Sequence, residues 1–412
     1  MNPSSSAASP ALSPLRQDAT VIGLVSVAHC ISHFSQLLLA PLFPWLKEAL
    51  DASYAELGFL MTIFFVVSCA VQTASGFVVD KLGPRPVLLG GLALLATAAF
   101  GFAASTGYWM TAFFCIVAGT GNGVFHPVDY TLLNKKVSAV RLGHAYSAHG
   151  ITGSLGWALA PAMLVPITLA YSWRVALVCA GCLALAVWVL LWLNRDHLAI
   201  ELAAPKSGTA SQAAGAEPTF DFLRIPAVWM CFGFFFLYAM VLSVVQAFAP
   251  EAARQLHGVP VSLVASCLTT YMVCAAGGMV LGGFLAADPA RCERVVGVGI
   301  GVAACVALTL ALTALPPMMV PVLFGVMGFA SGISGPSRDM LVKRSTPEHS
   351  TGRVFGVVYS GLDIGQAVAP LFFGVLMDQH NYRGVLLGLA VVQTALIVSA
   401  FNVRKVRRTV AA

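Results

Sequence analysis

What most limits the fold of this chain is a series of long apolar runs. They fall at 20–46, 55–79, 86–104, 108–132, 144–170, 174–193, 222–249, 260–286, 294–314, 317–341, 354–376 and 384–403, bounded by Gly, Pro and charged residues. Each is close to or above the roughly 20 residues that an α-helix needs to cross a bilayer core of about 30 Å. Hydrocarbon offers the backbone no hydrogen-bond partner, so a run of this kind crosses as a helix. The composition agrees: 58% of the 412 residues are hydrophobic and 10% charged, against about 25% charged in ordinary soluble domains. The predicted fold class is an all-α polytopic membrane protein with twelve transmembrane helices.

A single long polar interval, NRDHLAIELAAPKSGTASQAAGAEPTF, divides the runs six and six. Its Ala/Ser/Gly content marks a flexible linker. The predicted organisation is a polar tail at 1–19, a six-helix bundle at 20–193, the linker at 194–220, a second bundle at 221–403 and a basic tail at 404–412. The Pro/Ser-rich first residues contain no short apolar core followed by a cleavage site, so no cleaved signal peptide is expected.

The net charge of +6 reads as topology rather than as a nucleic-acid site. Arg16, Lys81, Arg85, Lys135, Lys136, Arg141, Arg195, Lys206, Lys343, Arg344 and the basic residues after 403 fall on one side, while the other keeps Lys47, Arg174, Arg254 and Arg383. Lys and Arg collect in cytoplasmic loops, which predicts that both termini face the cytoplasm. Nine of the ten cysteines lie inside apolar runs, where cysteine behaves as a small apolar residue. The Cys179/Cys182 pair has no second pair or nearby His to make a metal site.

An internal repeat is visible at a fixed offset. Gly119 superposes on Gly328, Gly123 on Gly332, Pro127 on Pro336, Gly143 on Gly352, Gly156 on Gly365 and Ala160-Pro161 on Ala369-Pro370, with no gap. Two copies of a six-span unit match the parallel-repeat plan of major facilitator transporters. The loop GFVVDKLGPRPVL supplies a second link: Gly76, Asp80, Lys81, Gly83 and Arg85 resemble the Gly-x-x-x-Asp-Arg/Lys-x-Gly-Arg-Arg loop of that superfamily. Proline at 84 and 86 replaces basic residues of the pattern, stiffening the loop. Gly76 would permit close helix approach, and Asp80 would pair across the cytoplasmic face to hold one of two domain arrangements. Alternatively the segment is only a tight turn with ordinary charges.

The stretch GTGNGVFHPVDY, with AHCISHFSQLLLAPLFPWL in the first run, is similar to the fosmidomycin-resistance branch of the superfamily. The shared residues are Gly-Thr-Gly, Phe-His-Pro, His29, Gln36 and Pro44. Two differences stand out: Val128 separates Pro127 from Asp129, and His33 stands where the branch carries Asp. In the fifth run Gly153, Gly156, Ala160 and Pro161 are similar to the Gly-x-x-x-Gly-Pro stretch of facilitator antiporters. This reads as a bending helix, with Gly365 and Pro370 as counterparts, or as small-residue packing.

His29, His33 and Gln36 share one helix face by their i, i+4, i+7 spacing. That face is a proton or substrate site, or polar packing between helices, or a metal pair that lacks a third ligand. His126 either lines the cavity or bonds a carbonyl freed by Pro127. Asp129 and its repeat counterparts Arg338 and Asp339 are candidates for a cytoplasmic gate, or for charges fixing helix ends. Asp363 is the acid well inside the eleventh run, where its counterpart is Ser154, and is a candidate proton carrier, salt-bridge partner or substrate contact. His149, Tyr238, Gln246, Tyr271 and Gln366 are further cavity candidates.

No nucleotide-binding Gly-x-x-x-x-Gly-Lys-Ser/Thr loop occurs, and no nucleophile, base or metal constellation suggests an enzyme. The expectation is a monomeric secondary transporter in a bacterial inner membrane, without cofactor, coupling a small neutral or anionic solute to protons. Export by antiport, as the resemblance implies, and uptake by symport both remain open. A sensor on the same scaffold would need an appended soluble domain.

Overall fold

A computed structural model describes residues 14–200, 226–286, 291–345 and 351–410. Fifteen α-helices are described: α1 Pro14–Gln36, α2 Phe43–Ala49, α3 Tyr54–Leu82, α4 Pro84–Ala104, α5 Tyr108–Asn122, α6 Phe125–Lys136, α7 Leu142–Ala170, α8 Trp173–Leu193, α9 Pro226–Ala247, α10 Ala249–His257, α11 Val261–Leu285, α12 Cys292–Leu312, α13 Met319–Ser345, α14 Thr351–Asp378 and α15 Tyr382–Val410. Eleven helical segments among the described residues are long and apolar enough to cross a membrane. The remaining passage, at 108–136, is made by α5 and α6 in succession, each too short to cross alone. The chain is an all-α polytopic membrane protein.

Several boundaries differ from the sequence expectation. The first apolar run does not continue to 46, because Pro41 and Pro44 interrupt it: α1 stops at Gln36, a 3-10 turn covers Ala40–Leu42, and α2 follows. Proline lacks the N–H an uninterrupted helix would need. At its other end α1 begins at Pro14, six residues before the apolar run. The added turn carries Asp18, which accepts from Ser138 Oγ at 2.6 Å and Arg141 Nε at 2.7 Å, tying α1 to the α6–α7 connection. The C-terminal basic tail is the end of α15 rather than a separate segment, with cations where the helix dipole favours them. Residues 1–13 of the expected N-terminal tail and 201–220 of the expected linker lie outside the described residues, while Arg195–Leu198 form a 3-10 turn.

The connections are fixed by local chemistry. Ser53 and Glu56 form a reciprocal capping box that starts α3, satisfying N–H groups that the first turn leaves orphaned. Gly83, at φ +82°, ends α3, and Pro84 opens α4; a side chain would resist that φ. Arg174 donates to the carbonyls of Ala103 and Ser105 at 2.6 and 2.8 Å, closing the end of α4.

The repeat has a steric content. A Cβ on Gly119 or Gly123 would press on the backbone of α3 at Phe64 or Ser68, and one on Gly328 or Gly332 would press on α11 at Tyr271 or Ala275. Gly156 likewise lies on α1 at Cys30, and Gly365 on α9 at Phe236. Each half therefore uses glycine where two backbones meet, the usual route to tight helix packing in lipid.

The halves α1–α8 and α9–α15 join at the end where α2 and α10 lie. Asp378 of α14 accepts from the N–H groups of Tyr54 and Ala55 at 2.7 and 2.8 Å. Further along, Gly58 packs on Pro370, Thr62 Oγ1 donates to Ala367 O at 2.6 Å, and Gln72 Nε2 donates to Asp363 Oδ2 at 3.2 Å. Phe43 and Phe248 meet at a ring distance of 5.9 Å. Toward the chain termini α3 instead exposes Phe77, Val78 and Leu82.

Candidate functional site

The first half contains a buried polar column between α1, α5–α6 and α7. Its upper layer is closed on itself: Trp157 Nε1 donates to Gln36 Oε1 at 2.9 Å, Ser32 Oγ and Gln36 Nε2 donate to Asn122 Oδ1 at 2.8 and 3.3 Å, and Asn122 Nδ2 donates to Ser68 Oγ at 2.8 Å. Gln36 thus belongs to a satisfied structural network. Asn122 is its hub and was not singled out from the sequence. The available signal was an amide inside an apolar run, which needs a partner in lipid.

The lower layer holds four histidines and one acid. Asp129 Oδ2 lies 2.9 Å from His29 Nδ1 and 3.1 Å from His149 Nε2. When Asp129 is ionised its carboxylate only accepts, and both imidazoles then present an N–H to the same oxygen. Oδ1 of Asp129 has no partner among the described residues, and the residue is fully buried. The rings of His29 and His149 stack at 3.5 Å, while His126 stands 5.3 Å from His29 and 6.2 Å from His149. His33 packs between His29 and Trp157, at 4.3 Å from each, with no hydrogen bond to either ring nitrogen among the described residues. A Cβ on Gly153 would fall about 3 Å from both His29 and His33, so this glycine makes room for the rings. Half-buried His126, together with exposed Tyr130, forms the accessible edge.

These positions revise several sequence expectations. The His29/His33 pair does have company: α6 and α7 bring His126 and His149, and ligand atoms of His29, His126 and His149 lie within 4.8 Å of one another. Asp129 does not fix a helix end, because it is buried against the two imidazoles; the side chains of Arg338 and Asp339 lie outside the described residues. The carbonyl of Gly123 freed by Pro127 receives Ser75 Oγ at 3.4 Å rather than an imidazole. The same solution recurs at Pro370, whose freed carbonyl on Gln366 accepts from Ser243 Oγ at 3.3 Å. Pro161 and Pro370 sit inside unbroken helices, and Gly153, Gly156 and Gly365 are close-contact points. In the loop motif Gly76 has nothing within 4 Å of an added Cβ among the described residues. Asp80 is exposed and has no ion pair among the described residues, Lys81 is exposed, and Arg85 reaches Asp196 at 3.9 Å across open surface.

The second half offers no equivalent cluster among the described residues. Tyr238 is half-buried, and Gln246, Tyr271 and Gln366 are buried on α9, α11 and α14. Gln246 Nε2, Gln366 Oε1 and both amide atoms of Gln393 have no hydrogen-bond partner among the described residues. Asp363 is the acid at the inner limit of the contact between halves, bonded to Gln72.

Comparison with known proteins places this geometry. The chain is 30% identical over 150 residues to the membrane sensor protein UhpC of Escherichia coli (35% of this chain, 33% of that protein). It is 28% identical over 178 residues to the probable sulfoacetate transporter SauU of Cupriavidus necator (42% and 40%). With the fosmidomycin resistance protein of E. coli it shares 27% identity over 192 residues (43% and 44%). The chain thus matches between a third and a half of the length of these relatives. Among solved structures, a bacterial homologue of the human lysosomal transporter Spinster, in an inward-facing and occupied conformation, superposes with a TM-score of 0.76 over 96% of this chain and 98% of that one, at 15% identity. That likeness extends to the whole arrangement of helices. The family model of the Major Facilitator Superfamily matches residues 25–326 and 317–411, and the chain belongs to that superfamily.

Proposed function

We propose that the chain is a proton-coupled secondary transporter that exports a small neutral or anionic organic solute by alternating access. It works as a monomer in a bacterial inner membrane and is neither an enzyme nor dependent on a cofactor. The excess of basic residues at the end carrying the termini supports a cytoplasmic placement of that end. The joined end would then face outward, and the space between the halves would open to the cytoplasm. The Spinster homologue with a similar fold was captured facing inward, in keeping with this orientation.

The observation that carries the proposal is the Gln72 to Asp363 hydrogen bond, which joins the two halves at the inner limit of their contact. An amide donating to an ionised carboxylate makes a stronger bond than one donating to a neutral acid. Ionised Asp363 therefore favours the joined arrangement, and a proton or a solute that takes the place of Gln72 weakens it. Proton and solute competing for one carboxylate cannot travel together, which is the logic of antiport. His126 and Tyr130, at the accessible edge of the histidine layer, would meet the solute from the first half.

A second reading, uptake of an organic anion by symport, draws on the similarity to a probable sulfoacetate transporter. The sensor alternative also gains a relative in the membrane sensor protein UhpC. One assay separates the readings: accumulation of fosmidomycin, small phosphonates and sulfonates in an efflux-deficient host, with and without a protonophore. Export predicts lowered accumulation that the protonophore restores. Raised, energy-dependent accumulation selects uptake, and no effect on any compound counts against transport of this class.

A further inference from the structure

We propose that His29, His126, His149 and Asp129 form a binding site for one divalent first-row transition-metal ion, with zinc as the reference case. The argument uses neither the solute nor the direction of transport, and so stands apart from the functional proposal. One ligand atom from each of the three histidines lies within 4.8 Å of the others. Asp129 Oδ2 is already in hydrogen-bond contact with two of the imidazoles, and its Oδ1 is buried with no partner among the described residues. Three imidazole nitrogens, with Asp129 holding two of the rings by hydrogen bonds, suit zinc and its neighbours and not magnesium or calcium, which prefer oxygen.

Coordination needs the nitrogens to close in and the stacked rings of His29 and His149, inclined at 24°, to turn until their lone pairs converge. Metal bonds of about 2.0–2.1 Å place tetrahedral ligands about 3.4 Å apart, so the nitrogens must close in by about 1 Å or a little more. His29 and His149 are held by opposite helices and stack at 3.5 Å. His126 is the half-buried member, and is therefore both the ligand with most room to move and the side of entry. An ion there would bind α1, α6 and α7 into one unit and place positive charge beside the Asp129 carboxylate. His33 remains outside the set, behind His29.

The test uses the purified full-length protein in lipid nanodiscs, stripped with a chelator, loaded with Zn2+ and desalted, with retained metal counted by mass spectrometry. One equivalent is expected, with a raised unfolding temperature. His126→Gln and His149→Gln should each reduce retained zinc at least tenfold, whereas His380→Gln, at an exposed residue away from the site, should retain it in full. His126→Gln guards against misfolding, because this half-buried side chain makes no hydrogen bond to the described residues; its unfolding temperature without metal should match that of the parent. Co2+ in place of zinc should show the visible absorption of a tetrahedral nitrogen and oxygen site without a thiolate charge-transfer band, which excludes the ten cysteines as ligands. Retention below a tenth of an equivalent, retention unchanged by both substitutions, or a thiolate band would each overturn the site.

Discussion

The interiors of the two halves share a skeleton and differ in chemistry. In the first, α5 lies on α3 through Gly119 and Gly123; in the second, α13 lies on α11 through Gly328 and Gly332, at the same repeat positions. Where the first half then places four histidines, Asp129 and Asn122, the second has Gln246, Gln366 and Gln393 with amide atoms that find no partner among the described residues, and Asp363 at its edge. Backbone contact allows almost no substitution, since an added Cβ must displace another main chain. A polar group away from such contact is free to change between copies. Chemistry therefore diverged where sterics could not.

The largest effects should come from the shared skeleton. Gly119→Leu and Gly328→Leu each put a side chain into a facing helix and should each cost more than about 3 kcal/mol, seen as loss of monodisperse protein and a collapsed unfolding temperature. If one were tolerated and the other not, the steric equivalence of the halves would fail.

The next effects should separate the two acids. Asp129→Ala leaves two buried imidazole N–H groups without an acceptor, at about 1–3 kcal/mol each, read by thermal unfolding. Asp363→Ala removes a single half-buried bond and should cost about 1 kcal/mol or less. Equal losses would mean that the acids play the same structural part, against the contrast drawn here.

Smaller effects test the unpaired groups. His33 and Gln393 are buried with none of their polar side-chain atoms bonded among the described residues, so His33→Leu and Gln393→Leu should be neutral or stabilising by up to about 2 kcal/mol. A clear loss of stability at either would reveal a hydrogen bond to a water or a solute. Smallest of all, Gly76→Ala meets nothing within 4 Å among the described residues and should raise stability by about 0.5 kcal/mol through helix propensity; a loss would mean that another helix does approach Gly76.

The helices were legible in the sequence because crossing lipid imposes a length and an apolar content on every run, and the repeat was legible because glycine and proline are hard to replace. Helix ends were less so: Pro41 and Pro44 split the first run, while Asp18 carried α1 an extra turn before it. The histidine layer was half visible. Helical spacing alone brought His29 beside His33, but His126 and His149 join them only through the packing of α6 and α7. Asn122 stood in plain view among the glycines, and its role as a hub depends on Ser32, Gln36 and Ser68 arriving from two other helices. Gln72 had no sequence signal as the partner of Asp363, since that contact exists only when the halves meet.

The central claim is that Asp363 couples proton movement to the joining of the halves, and the most direct measurement is transport by Asp363→Asn in proteoliposomes, both driven by a proton gradient and as solute counterflow without one. The account predicts that driven transport falls to background while counterflow continues at a rate comparable to the parent. Full gradient-driven transport by Asp363→Asn would contradict it.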